Sequence, residues 1–414
     1  YNLDIILFTI EYVIFLEQTK TFIFNINKSI KLNRPFSLCT NDIDNDGDID
    51  FYITQIYHEE HPALGGRNGE KNKLVLNNNG SFNPTNIPSI ESTGIGLACS
   101  ILDINQDGKK DIIVINDFGK DELFIQTNNL KFKNKAREFN FDDSGAGMNL
   151  SIIDFNDDPF WDIYVTMIDM FNKHLSFQLP DENSSLNRSK KILNTSTYLI
   201  GNQLYIGRPK KFERKTQNIF EPGLKGWGWG ASFFDYDNDS FDDVYITNGR
   251  ILYNENYTDE KNIFMINLNN KLYFSKSTSP ESSAQNSRGV SAADFENKGN
   301  LDLIVRNPAN AILYKNINKN TNNWIKIKLI GNKKNTFAIG ATIEVTTKEK
   351  SKRKIILAET GFRSQEPYQK HFGLGSSEIE SITVTWPNNL KTKLRKPIKT
   401  NQLITLTHPE MKPN

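Results

Sequence analysis

Five segments of the chain set acidic and amide side chains at one spacing. They are DIDNDGDID (Asp42 to Asp50), DINQDGKKD (Asp103 to Asp111), DFNDDPFWD (Asp154 to Asp162), DYDNDSFDD (Asp235 to Asp243) and DFENKGNLD (Asp294 to Asp302). In the first four, oxygen-bearing side chains stand at positions 1, 3, 5 and 9. A tight turn that points alternate residues inward wraps a hard cation, and calcium takes about six to eight such oxygens at about 2.3–2.6 Å. The first loop offers Asp42, Asp44, Asp46 and Asp50, and the second Asp103, Asn105, Asp107 and Asp111. The third offers Asp154, Asn156, Asp158 and Asp162, and the fourth Asp235, Asp237, Asp239 and Asp243. Position 7 supplies its backbone carbonyl in such loops, here Asp48, Lys109, Phe160 and Phe241. Four calcium sites are therefore expected.

An EF-hand is excluded, because it needs a bidentate Glu at position 12 between two helices. Here position 12 is Ile53, Val114, Val165, Ile246 and Val305, and the following runs DFYITQ, DIIVIN, DIYVTM, DVYITN and DLIVRN read as strands. The turn residue at position 6 is Gly47 and Gly108 but Pro159 and Ser240 later, which predicts strain there. The fifth loop has Lys298 at position 5. Its ammonium is expected to fill the cation's place between Asp294, Glu296 and Asp302, leaving that loop metal-free.

The elements that must hold these loops recur with them. Position-9 aspartates fall at 4, 50, 111, 162, 243 and 302, spacings that suit propeller blades of four antiparallel strands. A hairpin follows each loop-strand: Asn72 to Phe82, Asp121 to Phe132, Asn202 to Phe212 and Asn262 to Phe274, with Thr21 to Leu32 as the first copy. Small-residue runs (GIGLACS, GAGMNLS, GWGWGAS, SRGVSAA) precede the loops and suit the crowded innermost strand. Trp227 and Trp229 are read as packing there, with stacking on a sugar ring as the alternative. Strand alternation sends the insertions Tyr57 to Asn72, Ile168 to Tyr198 and Gly249 to Lys261 to the face away from the loops, where partner recognition is expected. His58-Glu59-Glu60-His61 lacks the helical spacing of a zinc site and reads as solvated loop.

Residues 321–409 alternate as strands without acidic loops and read as a compact antiparallel β-sandwich after a propeller spanning 1–320. The net charge of +1 hides an asymmetry: residues 321–414 hold 17 Lys and Arg against 7 Asp and Glu. Either solvated strand faces or affinity for anionic glycans or nucleic acid explains this, and the former is preferred. Cys39 and Cys99 lie three and four residues before their loops. That offset points them to opposite strand faces, which predicts buried free thiols. The apolar start LDIILFTIEYVIFL is interrupted by Asp4 and Glu11 and is too short to span a membrane. Residues 1–7 match the tail of a loop and its strand, so the chain reads as starting inside a repeat, its signal peptide lost with the missing start.

The loops, together with GWGWGASFFDYDND and SRGVSAADFENKGNLDLIV, resemble FG-GAP/VCBS repeats, as in integrin-α-like propellers. NWIKIKLIGNKKNTFAIGATIEV, GFRSQ (Gly361 to Gln365), HFGLG (His371 to Gly375) and VTWPNN (Val384 to Asn389) resemble the ASPIC/UnbV domain. The combination is that of the cartilage acidic protein family and its bacterial relatives. The resemblance implies an all-β protein with an integrin-like propeller, usually seven-bladed, calcium at the loops, and secretion or surface exposure. The five histidines are scattered, no nucleophile elbow or phosphate loop occurs, and His371 in HFGLG reads as part of a structural turn. The expected function is a calcium-stiffened extracellular or cell-surface module that binds a protein or glycan, with no nucleic-acid partner. The alternative is a carbohydrate-active enzyme of lyase or dehydratase type using the propeller face.

Overall fold

The computed structural model describes residues 5–9, 11–20, 23–56, 71–92, 94–142, 144–168, 201–215, 226–249, 261–275, 286–319 and 321–411. Asp4, the His58–His61 run and most of the three insertions lie outside the described residues. The remainder is all-β, as the periodicity requires: an integrin-like propeller followed by a smaller two-sheet unit.

A blade is four antiparallel strands in chain order. Pro35–Asn41, Asp50–Gln55, Lys73–Asn78 and Ser81–Pro84 form one. The same order recurs in Gly228–Phe234, Asp243–Asn248, Ile263–Asn267 and Leu272–Phe274. Two further blades, starting at Ile95–Leu102 and at Ser144–Ile153, are joined because the long strand Asp111–Lys120 also pairs with the start of Ser144–Ile153. Three-stranded sheets flank these four blades: Ile5–Phe8, Tyr12–Lys20 and Ile23–Lys31 on one side, Gly289–Ala293, Asp302–Arg306 and Ala311–Tyr314 on the other.

The strand after the loop is buried on both faces where neighbouring blades cover both, while Asp302–Arg306 at the flank leaves Ile304 exposed. Asp50–Gln55, Asp162–Met167 and Asp243–Asn248 are buried at every residue. Innermost strands must be small-featured. A Cβ on Gly147 would stand 2.3 Å from Ile115 Cγ2, and one on Gly96 2.9 Å from Thr54 Cβ. The expected hairpins form, and their leading residue has a role the pattern alone did not disclose. Asn72, Asp121, Asn202 and Asn262 each accept, through a side-chain oxygen at 2.9 Å, the N–H of Gln55, Asn116, Met167 and Asn248 respectively. That bond ties the second strand to the start of the third; in the second blade the strand runs on past it to Lys120. In the first blade the hairpin is displaced: Tyr12–Lys20 pairs with Ile23–Lys31, so Thr21 to Leu32 supplies one strand and not the whole hairpin. The two strands there are nine residues long each, so the pairing begins well ahead of the expected segment.

Cys39 and Cys99 form a disulfide, with Cα atoms 5.6 Å apart, which corrects the expectation of free thiols. Opposite strand faces do not separate the two sulfurs. Propeller blades stack front to back, so the two innermost strands present opposite faces to one another. Replacing both cysteines with serine is expected to cost about 2–4 kcal/mol, because the bridge closes a long loop in the unfolded chain. A melting midpoint that ignores both the double substitution and added reductant would refute the pairing.

The last propeller strand ends at Tyr314 and the next unit begins at Asn323. Its sheets are Lys370–Gly375, Asn323–Ile330 and Gln402–Thr407, and Ser351–Ile355, Thr342–Thr347, Ile379–Thr385 and Lys391–Ile398. Ile325, Ile343, Phe372, Ile382 and Trp386 fill the core between them. One pairing departs from the antiparallel expectation: Asn323–Ile330 and Gln402–Thr407 run parallel. They are the first and last strands of the unit, joined through the whole of it, and no hairpin dictates their direction.

Candidate metal centre

Each of the first four acidic loops is a chain of short side-chain-to-backbone turns. The position-3 oxygen accepts the N–H of position 5, and the position-5 oxygen accepts the N–H of position 7, as in Asp46–Asp44 at 3.3 Å and Asp48–Asp46 at 2.8 Å. Position 4 is left-handed throughout: Asn45, Gln106, Asp157, Asn238 and Asn297 have φ of 61°, 61°, 58°, 59° and 55°. Position 6 is left-handed at Gly47, Gly108 and Ser240, so Ser240 carries the strain its type predicts, at φ 78°.

The position-1 aspartate turns one oxygen to the N–H of position 6, at 3.0 Å for Asp42–Gly47, 2.9 Å for Asp103–Gly108 and 2.7 Å for Asp235–Ser240. Position 9 is tied twice. One oxygen of Asp50, Asp111, Asp162 and Asp243 accepts the N–H of position 2. The other accepts an N–H from the third strand of the blade: Asn77, Gln126, Gly207 and Asn267.

The loops differ in what is left for a cation. Carboxylate oxygens of Asp42, Asp44 and Asp50 lie within 4.8 Å of one another, and so do those of Asp235, Asp237 and Asp239. Asp42 Oδ1 is buried with no hydrogen-bond partner. Burial, with Asp44 and Asp46 beside it, pushes the Asp42 carboxyl up to about 6 against the pull of the Gly47 N–H. Burial likewise raises Asp50 to about 7 and lifts Asp235 and Asp243 well above the carboxylate range. An unpaired buried oxygen among crowded carboxylates fits a divalent cation by the chemistry of its donors. Asp46 and Asp243 stand outside these two groups.

In the second and third loops no three acidic side chains converge so closely among the described residues. The Asp107 carboxylate meets the Lys109 ammonium at 3.2 Å, and burial raises Asp111 to about 7. The third loop is occupied by arginine. Pro159 has no N–H to give Asp154, and the backbone N–H of Arg353, from the second unit, takes that place at 3.0 Å. The Arg353 guanidinium donates to the carbonyls of Asp158, Pro159 and Phe160 at 2.6, 2.8 and 3.2 Å. Arg208 pairs with Asp158 at 2.5 Å. The expected Phe160 carbonyl ligand is thus spent on a guanidinium, and Asn156 donates to the same Asp158.

The fifth loop also takes a cation from the second unit, but not the one expected. Lys298 pairs with Glu296 at 2.8 Å in solvent. Lys326 fills the loop instead, 2.9 Å from Asp294 Oδ2 and 2.8 Å from Asn297 Oδ1. Spacing within the loop could not reveal a lysine from another sheet.

These contacts account for much of the basic excess. Lys334 meets Asp48 at 3.2 Å, Lys350 meets the Ser240 carbonyl at 2.9 Å, and Lys354 meets Asp242 at 2.8 Å. Several cations therefore face the acidic loops, which corrects the preference for solvated strand faces. The two shared motifs of this unit are docking elements as well. His371 lies in a strand, not a turn, with Nε2 2.6 Å from Asn238 Oδ1 and its ring stacked on Trp324. Phe362 of GFRSQ packs with Leu97, Ala146, Met148 and Trp229 of the innermost strands. Trp229 is buried there, 4.9 Å from the Phe362 ring, which favours packing over sugar stacking.

Residues 42–114 and 103–165 match the FG-GAP-like repeat, and residues 331–413 match the ASPIC and UnbV domain. Cartilage acidic protein 1 of Xenopus tropicalis is 31% identical over 115 residues, 26% of this chain and 18% of that protein. The Homo sapiens protein of that name is 30% identical over 105 residues, 24% of this chain and 16% of the relative. The matched region thus spans less than one fifth of these relatives' length. Among solved structures, the Vibrio cholerae biofilm matrix protein Bap1 aligns over 88% of this chain and 59% of its own, at 10% identity and a TM-score of 0.34. BBS1N, solved in complex with ARL6DN, aligns over 88% and 93% at 10% identity and a TM-score of 0.33. The chain carries FG-GAP-like repeats followed by an ASPIC and UnbV domain, with distant likeness to cartilage acidic protein 1.

Proposed function

We propose that the chain is a calcium-stiffened extracellular or cell-surface binding module whose partner is a protein or a glycan. The observation that carries the calcium part is the convergence of Asp42, Asp44 and Asp50 around a buried, unpartnered Asp42 oxygen. Asp235, Asp237 and Asp239 repeat the convergence, with both Asp235 oxygens accepting backbone N–H groups. A bound calcium supplies positive charge that lets these carboxylates ionise side by side. The second loop, with Asp103, Asn105 and Asp107, is a weaker third site. The third and fifth loops already hold the cations Arg353, Arg208 and Lys326, although Asp154 Oδ1 of the third is buried and unpartnered as Asp42 Oδ1 is.

The Cys39–Cys99 disulfide supports an oxidising compartment, hence secretion or surface display. Among the described residues no helix is long and apolar enough to cross a membrane. The loop face is covered by the ASPIC and UnbV domain, which leaves the opposite face, where the insertions enter and leave, for a partner.

Chelation tests the calcium reading. At millimolar calcium and a Kd of about 0.1–1 mM, each occupied site adds roughly 0.4–1.4 kcal/mol. Addition of EDTA is expected to lower the melting temperature by several degrees, and calcium but not magnesium to restore it. An identical melting curve in EDTA sinks the proposal.

A further inference from the structure

The two domains enclose a cavity of about 150 Å³ on the propeller axis. Its walls come from the loop-face ends of the innermost strands and from the docked domain, and include Ser100, Glu359, Glu366, Lys370 and His371. Three other cations of the wall are matched: Lys326 to Asp294, Arg353 to Asp154 and Lys354 to Asp242. Lys370 is not. It is 8% exposed, and its ammonium forms no hydrogen bond or ion pair among the described residues. Glu366 acts on it only at longer range, and one Glu366 oxygen is bound by the Ser232 hydroxyl at 2.7 Å.

We propose that this axial chamber binds a small carboxylate anion, with the Lys370 ammonium as its counter-charge. A buried cation without a partner is costly, and an incoming anion removes that cost. The wall's Asp154, Asp242 and Asp294 carboxylates are neutralised by those three cations, and Glu366 is held by Ser232. Glu359 is half-buried, and its desolvation pushes the carboxyl up to about 8, so at neutral pH it carries a proton to donate and little charge to repel. The Ser100 hydroxyl lies 3.0 Å from Glu359 Oε1, at the same wall. The volume equals a handful of waters, the size of an acid of a few carbons.

An entry route is built in. A larger axial space of about 1000 Å³ shares Cys99, Leu150, Glu359, Thr360 and Gly361 with the chamber. Arg34 and Arg363 line it. Two cations along the approach favour an anionic visitor over a neutral or cationic one. The inference does not depend on calcium at the loops.

Reductive trapping on the full chain tests it, with pyruvate as probe and cyanoborohydride as reductant at pH 7. The free amine attacks the keto carbon, the carbonyl oxygen leaves as water, and hydride reduces the imine to a stable secondary amine. Peptide mass spectrometry should show Lys370 alkylated at least about tenfold faster than solvent-exposed Lys298, because a bound probe reacts at high effective concentration. Acetate should slow labelling of Lys370 and leave Lys298 unchanged, and Lys370→Met should remove the fast component. Labelling of Lys370 no faster than that of Lys298, or equal slowing of both by acetate, overturns the proposal. Neither of those readouts requires the variant to fold.

Discussion

Replacing Lys326 with methionine is expected to destabilise the protein by about 3–5 kcal/mol, the cost of leaving a buried carboxylate without its partner. The Lys326 and Asp294 side chains are 6% and 1% exposed, so water cannot take the lysine's place without opening the loop. Burial works to raise the Asp294 carboxyl, but Lys326 and the N–H groups of Gly299 and Lys298 outweigh it and hold the group below the ordinary range. Lys326→Met with Asp294→Asn removes both charges and should recover most of the loss. The double-mutant cycle therefore separates the ion pair from simple packing. Urea denaturation followed by tryptophan fluorescence reads the effect. A single variant within about 1 kcal/mol of the parent would show that the fifth loop does not need its lysine.

A second large effect is expected from pH. Thr40 N–H and Ser100 Oγ–H both point at Glu359, at 3.3 and 3.0 Å, yet burial dominates and raises its carboxyl from 4.5 to about 8. In the unfolded chain that carboxyl ionises near its ordinary value. Between these limits the folded state holds a proton that the unfolded state has lost. Stability is therefore highest below about pH 4.5 for this group and falls as pH rises to about 8, beyond which the penalty is constant. The full span is on the order of 4–5 kcal/mol. Glu359→Gln keeps the shape and removes the titration, so variant and parent should agree in acid and diverge with rising pH, the variant melting higher. Parallel melting curves from pH 5 to 9 would contradict a neutral Glu359.

The blades could be read from the sequence because the repeat is local. Loop, strand and hairpin lie within one unit of chain, and their turns demand particular residues at particular steps. The apolar position 12 excluded a helical calcium motif without any structure. What could not be read depends on contacts between units. The disulfide required knowing that adjacent blades stack front to back. Lys326, Arg353 and Lys354 looked like surface charge because nothing local ties a sandwich strand to an acidic turn scores to hundreds of residues earlier. Pro159 held a hint of this. A turn that lacks the N–H used by Gly47, Gly108 and Ser240 needs a donor from elsewhere, and Arg353 supplies it. The loop ligands themselves were only partly separable by spacing, since second and third loops have the same Asp, Asn, Asp, Asp set and different neighbours.

The doubly tied aspartate at position 9 has a consequence for how such chains diverge. Its oxygens join the loop to the third strand through backbone N–H groups, and Asp302 of the cation-substituted fifth loop still binds the Asn316 N–H at 2.7 Å. That residue is joinery, required whether or not an ion sits above it. A blade can lose its ion and keep its frame, so the motif persists after the metal has gone. Counting acidic loops in related chains therefore counts blades, while ions must be counted from the side chains that remain unclaimed.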